Sequence, residues 1–352
     1  MLDLKSLAPA VAAMLRDNMG LKDGESLLIL TDVPSADELA RLDFGATEDF
    51  IGRTVLARGV AAIAAEAFPA ARVEFLPYSS VGQHGTEVPE AVAGKMKAAS
   101  AVVAMTTYSL THTRATAEAA GAGARIASMP GIMARMFMPD GPMAVDYAAV
   151  RHETRFFVDL ITRTRLVRVT SPAGTDLTFS LDGRKGGADD GFLNTPGSWG
   201  NLPAGEAFAA PVEGTAEGRL VVQRGWYPDL SEDMSLVFRG GYVAEIAGGG
   251  EVGRRFAEKL NLGVADAPER SRRNCAELGI GTNPNAKTPD NVLEAEKIRG
   301  TIHIAIGDSS HMGGQTESDL HEDFIVPQPE VYFDGAKVIA RGRSVGSSGG
   351  PS

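Results

Sequence analysis

The chain has 352 residues, a formal net charge of −11 and a single cysteine, Cys275. An acidic balance of this size disfavours contact with phosphate backbones, so nucleic acid is not an expected partner, whereas clustered carboxylates attract cations. One thiol rules out an internal disulfide and fits a reducing, cytoplasmic setting, and no apolar run approaches the ~20 residues of a membrane helix.

The opening stretch, Met1–Gly20, mixes charges with apolar residues and reads as no signal peptide. "ESLLILTD" (Glu25–Asp32) is a short apolar run bounded by turn residues and is predicted to be a strand. A long polar insertion, Thr31–Thr54, follows, and then the alanine-rich "RTVLARGVAAIAAEAF" (Arg53–Phe68) with helical spacing of its apolar residues. Ala71–Ser79 and Ala99–Ser109 read as strands around the helix "PEAVAGKMKAA"; "RATAEAAGAG" reads as a helix and "ARIASMPG" as a strand. Strands alternating with helices predict a mainly parallel, Rossmann-like sheet. The first strand is followed by no glycine-rich dinucleotide fingerprint, and no Walker-type phosphate loop is present.

After about residue 165 the pattern changes to strands joined by tight turns, interrupted by a helix over Gly250–Asn261 and a shorter one near "PDNVLEAEKI". The expected architecture is an α/β domain over 1–165 and a metal-binding α+β catalytic domain rich in antiparallel strands over 166–343. A flexible tail is expected over 344–352, and the domain boundary near Arg163–Val167.

Three of the six histidines lie between Gly300 and Asp323. "TIHIAIG" alternates, so the isoleucines face the core and His303 the opposite side. In "LHEDFIVP", His321 and Asp323 share one face of an extended segment, a compact two-ligand edge suited to zinc, cobalt, manganese or iron. Glu277 precedes a Gly-x-Gly stretch read as a tight turn, and Glu206 sits in a Pro/Gly loop before an apolar segment, where a carboxylate needs a partner. Each of these residues taken alone is more often an ordinary solvated side chain than a ligand.

Taken together, the stretches Asp140–Ile161, Arg168–Arg184, Asn201–Val222, Ala276–Ala286, Glu296–Asp308 and His321–Gly335 resemble the aminopeptidase T family of metallo-aminopeptidases. The resemblance implies a homodimer with two divalent ions per chain (Zn, Co or Mn), held by Glu206, Glu277, His303, His321 and Asp323. Glu296 matches a further acidic position at a longer spacing. A tyrosine of that family falls here on Ser310. The same superfamily is similar to iron-dependent dioxygenases that open 2,5-dihydroxypyridine. Those keep the His-x-Asp pair, place a histidine where Glu277 stands and lack His303; "SLTHT" brings His112 to the place of their active-site histidine.

Because Glu277 and His303 are both present, the sequence-based expectation is a two-metal hydrolase cleaving an amide at the N-terminus of a small peptide. Two ions about 3.5–4 Å apart would hold the attacking water, and Glu296, or else His112, would serve as its general base. The alternative expectation is a mononuclear Fe(II) ring-cleaving dioxygenase.

Overall fold

A computed structural model describes residues 3–264, 267–289 and 291–345 of the chain (of Val292, its backbone). The contacts group the chain into two compact units, Met1–Tyr147 with Gly191–Ala204, and Ala148–Asp190 with Gly205–Ser352. The sequence places one boundary near 163–167; the contacts place the changeovers after Tyr147, Asp190 and Ala204. Among the described residues no helix is long and apolar enough to cross a membrane.

The first unit is α/β. Its sheet is wholly parallel, in the order Arg72–Ser79, Ser26–Val33, Ala101–Ala104, Arg125–Ser128, Trp199–Asn201. The inner strands are apolar on both faces because helices cover both. The polar insertion is largely helical: a capping box of Ser35 and Glu38 starts the Ala36–Leu39 turn. Asp43 then caps a helix over Phe44–Ala67 that absorbs the second half of the insertion. In such sheets the crevice where strand order reverses is a common anion site. Here the buried carboxylate of Asp32 takes the amides of Thr107 (2.8 Å) and Tyr108 (3.3 Å), so an internal acid fills the place a phosphate would hold.

The second unit is built from two antiparallel sheets. One has eight strands, running from Tyr242–Gly248 at one edge through Leu166–Thr170 to Arg343–Ser344 at the other. The second has five, in the order His321–Pro327, Thr301–Gly307, Cys275–Gly281, Glu206–Ala209, Gly187–Asp189. Val167, Val169, Leu177 and Phe179 of the first share one core with Ala207, Leu278, Ile280, Ile302, Ile304, Ile306 and Phe324 of the second. Alternation then turns Glu206, Glu277, His303 and Asp323 to the other face of the five-stranded sheet. That face is covered too, since all seven residues of Thr301–Gly307 are buried. The Tyr147–Arg163 helix, not foreseen as an element, gives Phe157, Val158 and Ile161 to the same core. The expected tail lies outside the described residues from 346 onward.

Candidate metal centre

Strand register assembles the site. Glu277 stands opposite Ala305, and Ala305 opposite Asp323 on the next strand. Gly279 stands opposite His303, and Glu206 lies between Gly281 and Asp189. The side chains of these rows share one face, and the small residues Gly279, Gly281 and Ala305 form its floor. A Cβ at 279 would fall inside the His303 ring and 2.7 Å from Glu206 Oε1. At 281 it would strike the backbone of Lys297 and Ile298. The Gly-x-Gly stretch after Glu277 is therefore not a turn. It is the middle of a central strand whose missing side chains admit an imidazole on one side and a crossing chain on the other. Glu206 likewise begins a strand rather than lying in a loop.

Five of the residues expected from the sequence converge here. His321 Nε2 lies 3.1 Å from Glu277 Oε2 and 3.7 Å from Asp323 Oδ1. His303 Nε2 lies 2.9 Å from Glu206 Oε1, 3.6 Å from Glu277 Oε1 and 3.8 Å from Asp323 Oδ1. Two groups offer ligand atoms that all fall within 4.8 Å of one another: Glu277, His321 and Asp323, and Glu206, Glu277 and His303.

The two imidazoles differ in how their second nitrogen is held. His321 Nδ1 sits 2.8 Å from the carbonyl oxygen of Asp308. A carbonyl only accepts, so Nδ1 carries a proton, while Nε2 faces Glu277 and Asp323. Burial would lower the His321 pKa, but the charges of Asp323 and Glu277 hold it well above its ordinary value, and a cation bound there would take the place of the Nε2 proton. His303 Nδ1 is buried with no hydrogen-bond partner among the described residues. Its Nε2 faces Glu206 at 2.9 Å as a donor. The other oxygen of Glu206 is held by Lys297 Nζ. Lys297 is 3% exposed, and its ammonium also lies 3.1 Å from Glu296 and 3.3 Å from Asp189. Asp323 Oδ1 is buried with no hydrogen-bond partner among the described residues. A cation beside His321 and Glu277 would satisfy that atom.

The electrostatics agree. Burial would raise the Asp323 carboxyl, but the nearby charge of His321 outweighs it and holds the group below its ordinary value. Burial acts on Glu277 in the same sense, and hydrogen bonds from His303 and His321 overcome it. Burial likewise opposes a low value at Glu206, where Lys297 and His303 win and bring it to about 2. Glu296 is different: burial dominates, with Asp323 and Glu206 adding to it, and its carboxyl is pushed up to about 8. At Asp189 burial prevails over the lysine and gives about 7. For Lys297, burial favours the neutral amine, yet the charges of Glu206, Glu296 and Asp189 hold its pKa well above the ordinary lysine value.

His112 belongs to the first unit. It lies on the surface, edge-on to Trp199 at 5.6 Å, and the Arg114–Gly121 helix is capped by Thr113 rather than by His112. Sequence reasoning missed Lys297, Asp189 and the Asp308 carbonyl. Lys297 stands in a charged stretch where a lysine is ordinarily solvated, and a carbonyl has no sequence signature.

Residues 9–346 match the family model described as NicX, 2,5-dihydroxypyridine 5,6-dioxygenase. The chain belongs to this family. A curated 2,5-dihydroxypyridine 5,6-dioxygenase of Pseudomonas putida KT2440 is 24% identical over 197 residues, 52% of this chain and 55% of that one. The alignment thus spans about half the length of the curated relative. The solved structure of 2,5-dihydroxypyridine dioxygenase from the same organism has a TM-score of 0.71 at 18% identity and covers 99% of both chains. AmpT from Thermus thermophilus has a TM-score of 0.62 at 16% identity, covering 97% of this chain and 99% of that one. At these identities both structures speak for a shared fold.

Membership in the dioxygenase family overturns the expected amide hydrolase, and with it the aminopeptidase and protease readings: the family model and the curated relative both name a dioxygenase. The sequence argument weighed Glu277 and His303 as ligands of two ions. In the structure His303 Nε2 meets Glu206, and the other oxygen of Glu206 meets a buried lysine, neither of which the sequence shows.

Proposed function

We propose that this member of the dioxygenase family opens a hydroxylated pyridine ring with dioxygen, using one Fe(II) held by His321, Asp323 and Glu277. The observation that carries the reading is the pairing of a family match over residues 9–346 with one histidine whose Nε2 is aimed, beside the unsatisfied Asp323 Oδ1, at Glu277. Two carboxylates and one neutral imidazole balance a divalent ion, and a mixed nitrogen–oxygen set suits iron or manganese. When bound, the iron supplies the one-electron chemistry that lets an aromatic ring react with dioxygen.

The remaining work falls to the chain's own groups. The Asp308 carbonyl fixes the His321 tautomer. Glu296, raised to about 8, carries a proton at neutral pH within electrostatic reach of Asp323 and His303, and is the group placed to give or take one.

The test is to load the protein anaerobically with Fe(II), add 2,5-dihydroxypyridine and follow oxygen uptake and ring absorbance together. Oxygen uptake matched by ring loss, and abolished in D323N, supports the proposal. Protein that carries about one iron per chain yet consumes no oxygen with any hydroxypyridine refutes it.

A further inference from the structure

We propose that Lys297 is a resident cation: its ammonium takes the place beside Glu206 that a second divalent ion would otherwise occupy, and so holds the centre to a single metal. This deepens the one-iron reading and rests on it for the identity of the metal.

The geometry is that of a built position. Lysine has three N–H donors, and three carboxylates, Glu206, Glu296 and Asp189, surround Lys297 Nζ. The side chain is 3% exposed, so this is no surface ion pair. Its backbone is fixed as well. The Asn283 amide donates to the Lys297 carbonyl at 2.9 Å and the Arg299 amide to the Asn283 carbonyl at 3.1 Å. Gly281 leaves the space through which this segment crosses the end of the central strand. Both oxygens of Glu206 are then engaged, His303 on one and Lys297 on the other. Glu277, His321 and Asp323 keep their ligand atoms turned to one another. The same face of one sheet therefore carries two cation positions: one whose charge is covalently part of the chain, and one left to an ion.

Replacing Lys297 with methionine keeps the length of the side chain and removes the charge, leaving Glu206 without its counter-ion and Glu296 and Asp189 beside it without a cationic donor. Metal-free protein would be titrated with Mn(II), bound ions counted by elemental analysis, and free Mn(II) followed by its paramagnetic resonance signal. The wild type and K297R should take up about one ion per chain, and K297M about two. Thermal stability of K297M should rise over the second equivalent of Mn(II), where that of the wild type is flat. K297M that still binds one ion with unchanged affinity overturns the proposal, as does a wild type that binds two.

If K297M does not fold, K297M/E206Q takes its place. Recovery of folded protein with about one ion supports the charge-balancing role, and no recovery overturns it. The two readings fail separately. A wild type with one ion and K297M with two, but no oxygen uptake, retires ring opening and leaves Lys297 as the resident cation.

Discussion

Gly279→Ala is the sharpest test of the site's architecture, because a single methyl group decides it. Gly279 lies in the centre of a buried strand, and its backbone is ordinary extended chain, so alanine brings no dihedral strain. The whole cost is steric. The new Cβ would occupy the space of the His303 ring and press on Glu206 Oε1, and both residues are buried. Forcing a methyl into a packed interior costs about 1–3 kcal/mol, and displacing the hydrogen bond between buried His303 and charged Glu206 adds about 1.5–3 kcal/mol. The sum is about 2.5–6 kcal/mol, which for a unit of this size lowers the melting temperature by roughly 5–24 °C. Gly94→Ala provides the control. That glycine sits inside the Glu90–Ala98 helix with nothing within 4 Å of its built Cβ, so alanine should stabilise by about 0.5–1 kcal/mol. The assay is thermal unfolding by circular dichroism with metal content measured alongside. A G279A protein that melts within a degree or two of the wild type and binds the same metal would show that His303 does not lie over position 279.

Three further outcomes are expected. H321A and D323N should each weaken divalent-metal affinity at least ~100-fold, read by Mn(II) titration, because no neighbour replaces either ligand atom. Cys275 is buried at 2% exposure and burial pushes its thiol up to about 12, so it should resist a thiol reagent at neutral pH until the protein unfolds. Glu25 has its carboxyl held below the ordinary 4.5: burial works against this, but the Arg125 hydrogen bond and the Lys22 amide prevail. A depressed acid stabilises the fold above its unfolded pKa and loses that contribution as pH falls through the folded one. E25Q should therefore melt below the wild type at pH 7, by about 1–3 kcal/mol in stability, with the gap closing as the pH is taken well under 4.5.

Much of the fold is legible in the sequence because period and punctuation carry it. "ESLLILTD" and "ARIASMPG" become parallel strands, and the hairpin around "SPAGTD" forms as alternation predicts. Two elements were hidden for physical reasons. The Tyr147–Arg163 helix presents an apolar stripe broken by four arginine or histidine residues, and only packing of Phe157 and Ile161 into the core reveals its inner face. The Cys275–Gly281 strand was masked by its glycines, which propensity assigns to turns. The local preference lost to a close approach that no window of sequence contains: the His303 ring from one side and the Lys297–Ile298 backbone from the other.

At the site, the residue types were legible and their division of labour was not. His303 and His321 look alike on paper, and both project from alternating strands toward the same acids. What separates them is the partner of the far nitrogen: the carbonyl of Asp308, thirteen residues before His321, against none for His303. Both Nε2 atoms meet a carboxylate, at 2.9 Å for His303 and 3.1 Å for His321, but the ring locked by a carbonyl is the one oriented to exchange its Nε2 proton for a metal. Lysine and metal are then alternatives for the acids that remain, and the choice is made by the chain. With Lys297 carried to Glu206 on a backbone pinned through Asn283, one positive charge is delivered by folding itself. On the proposed role of Lys297, the count of ions at such a centre follows from that covalent charge as well as from the number of ligands, and a ligand tally read from the sequence contains only the second.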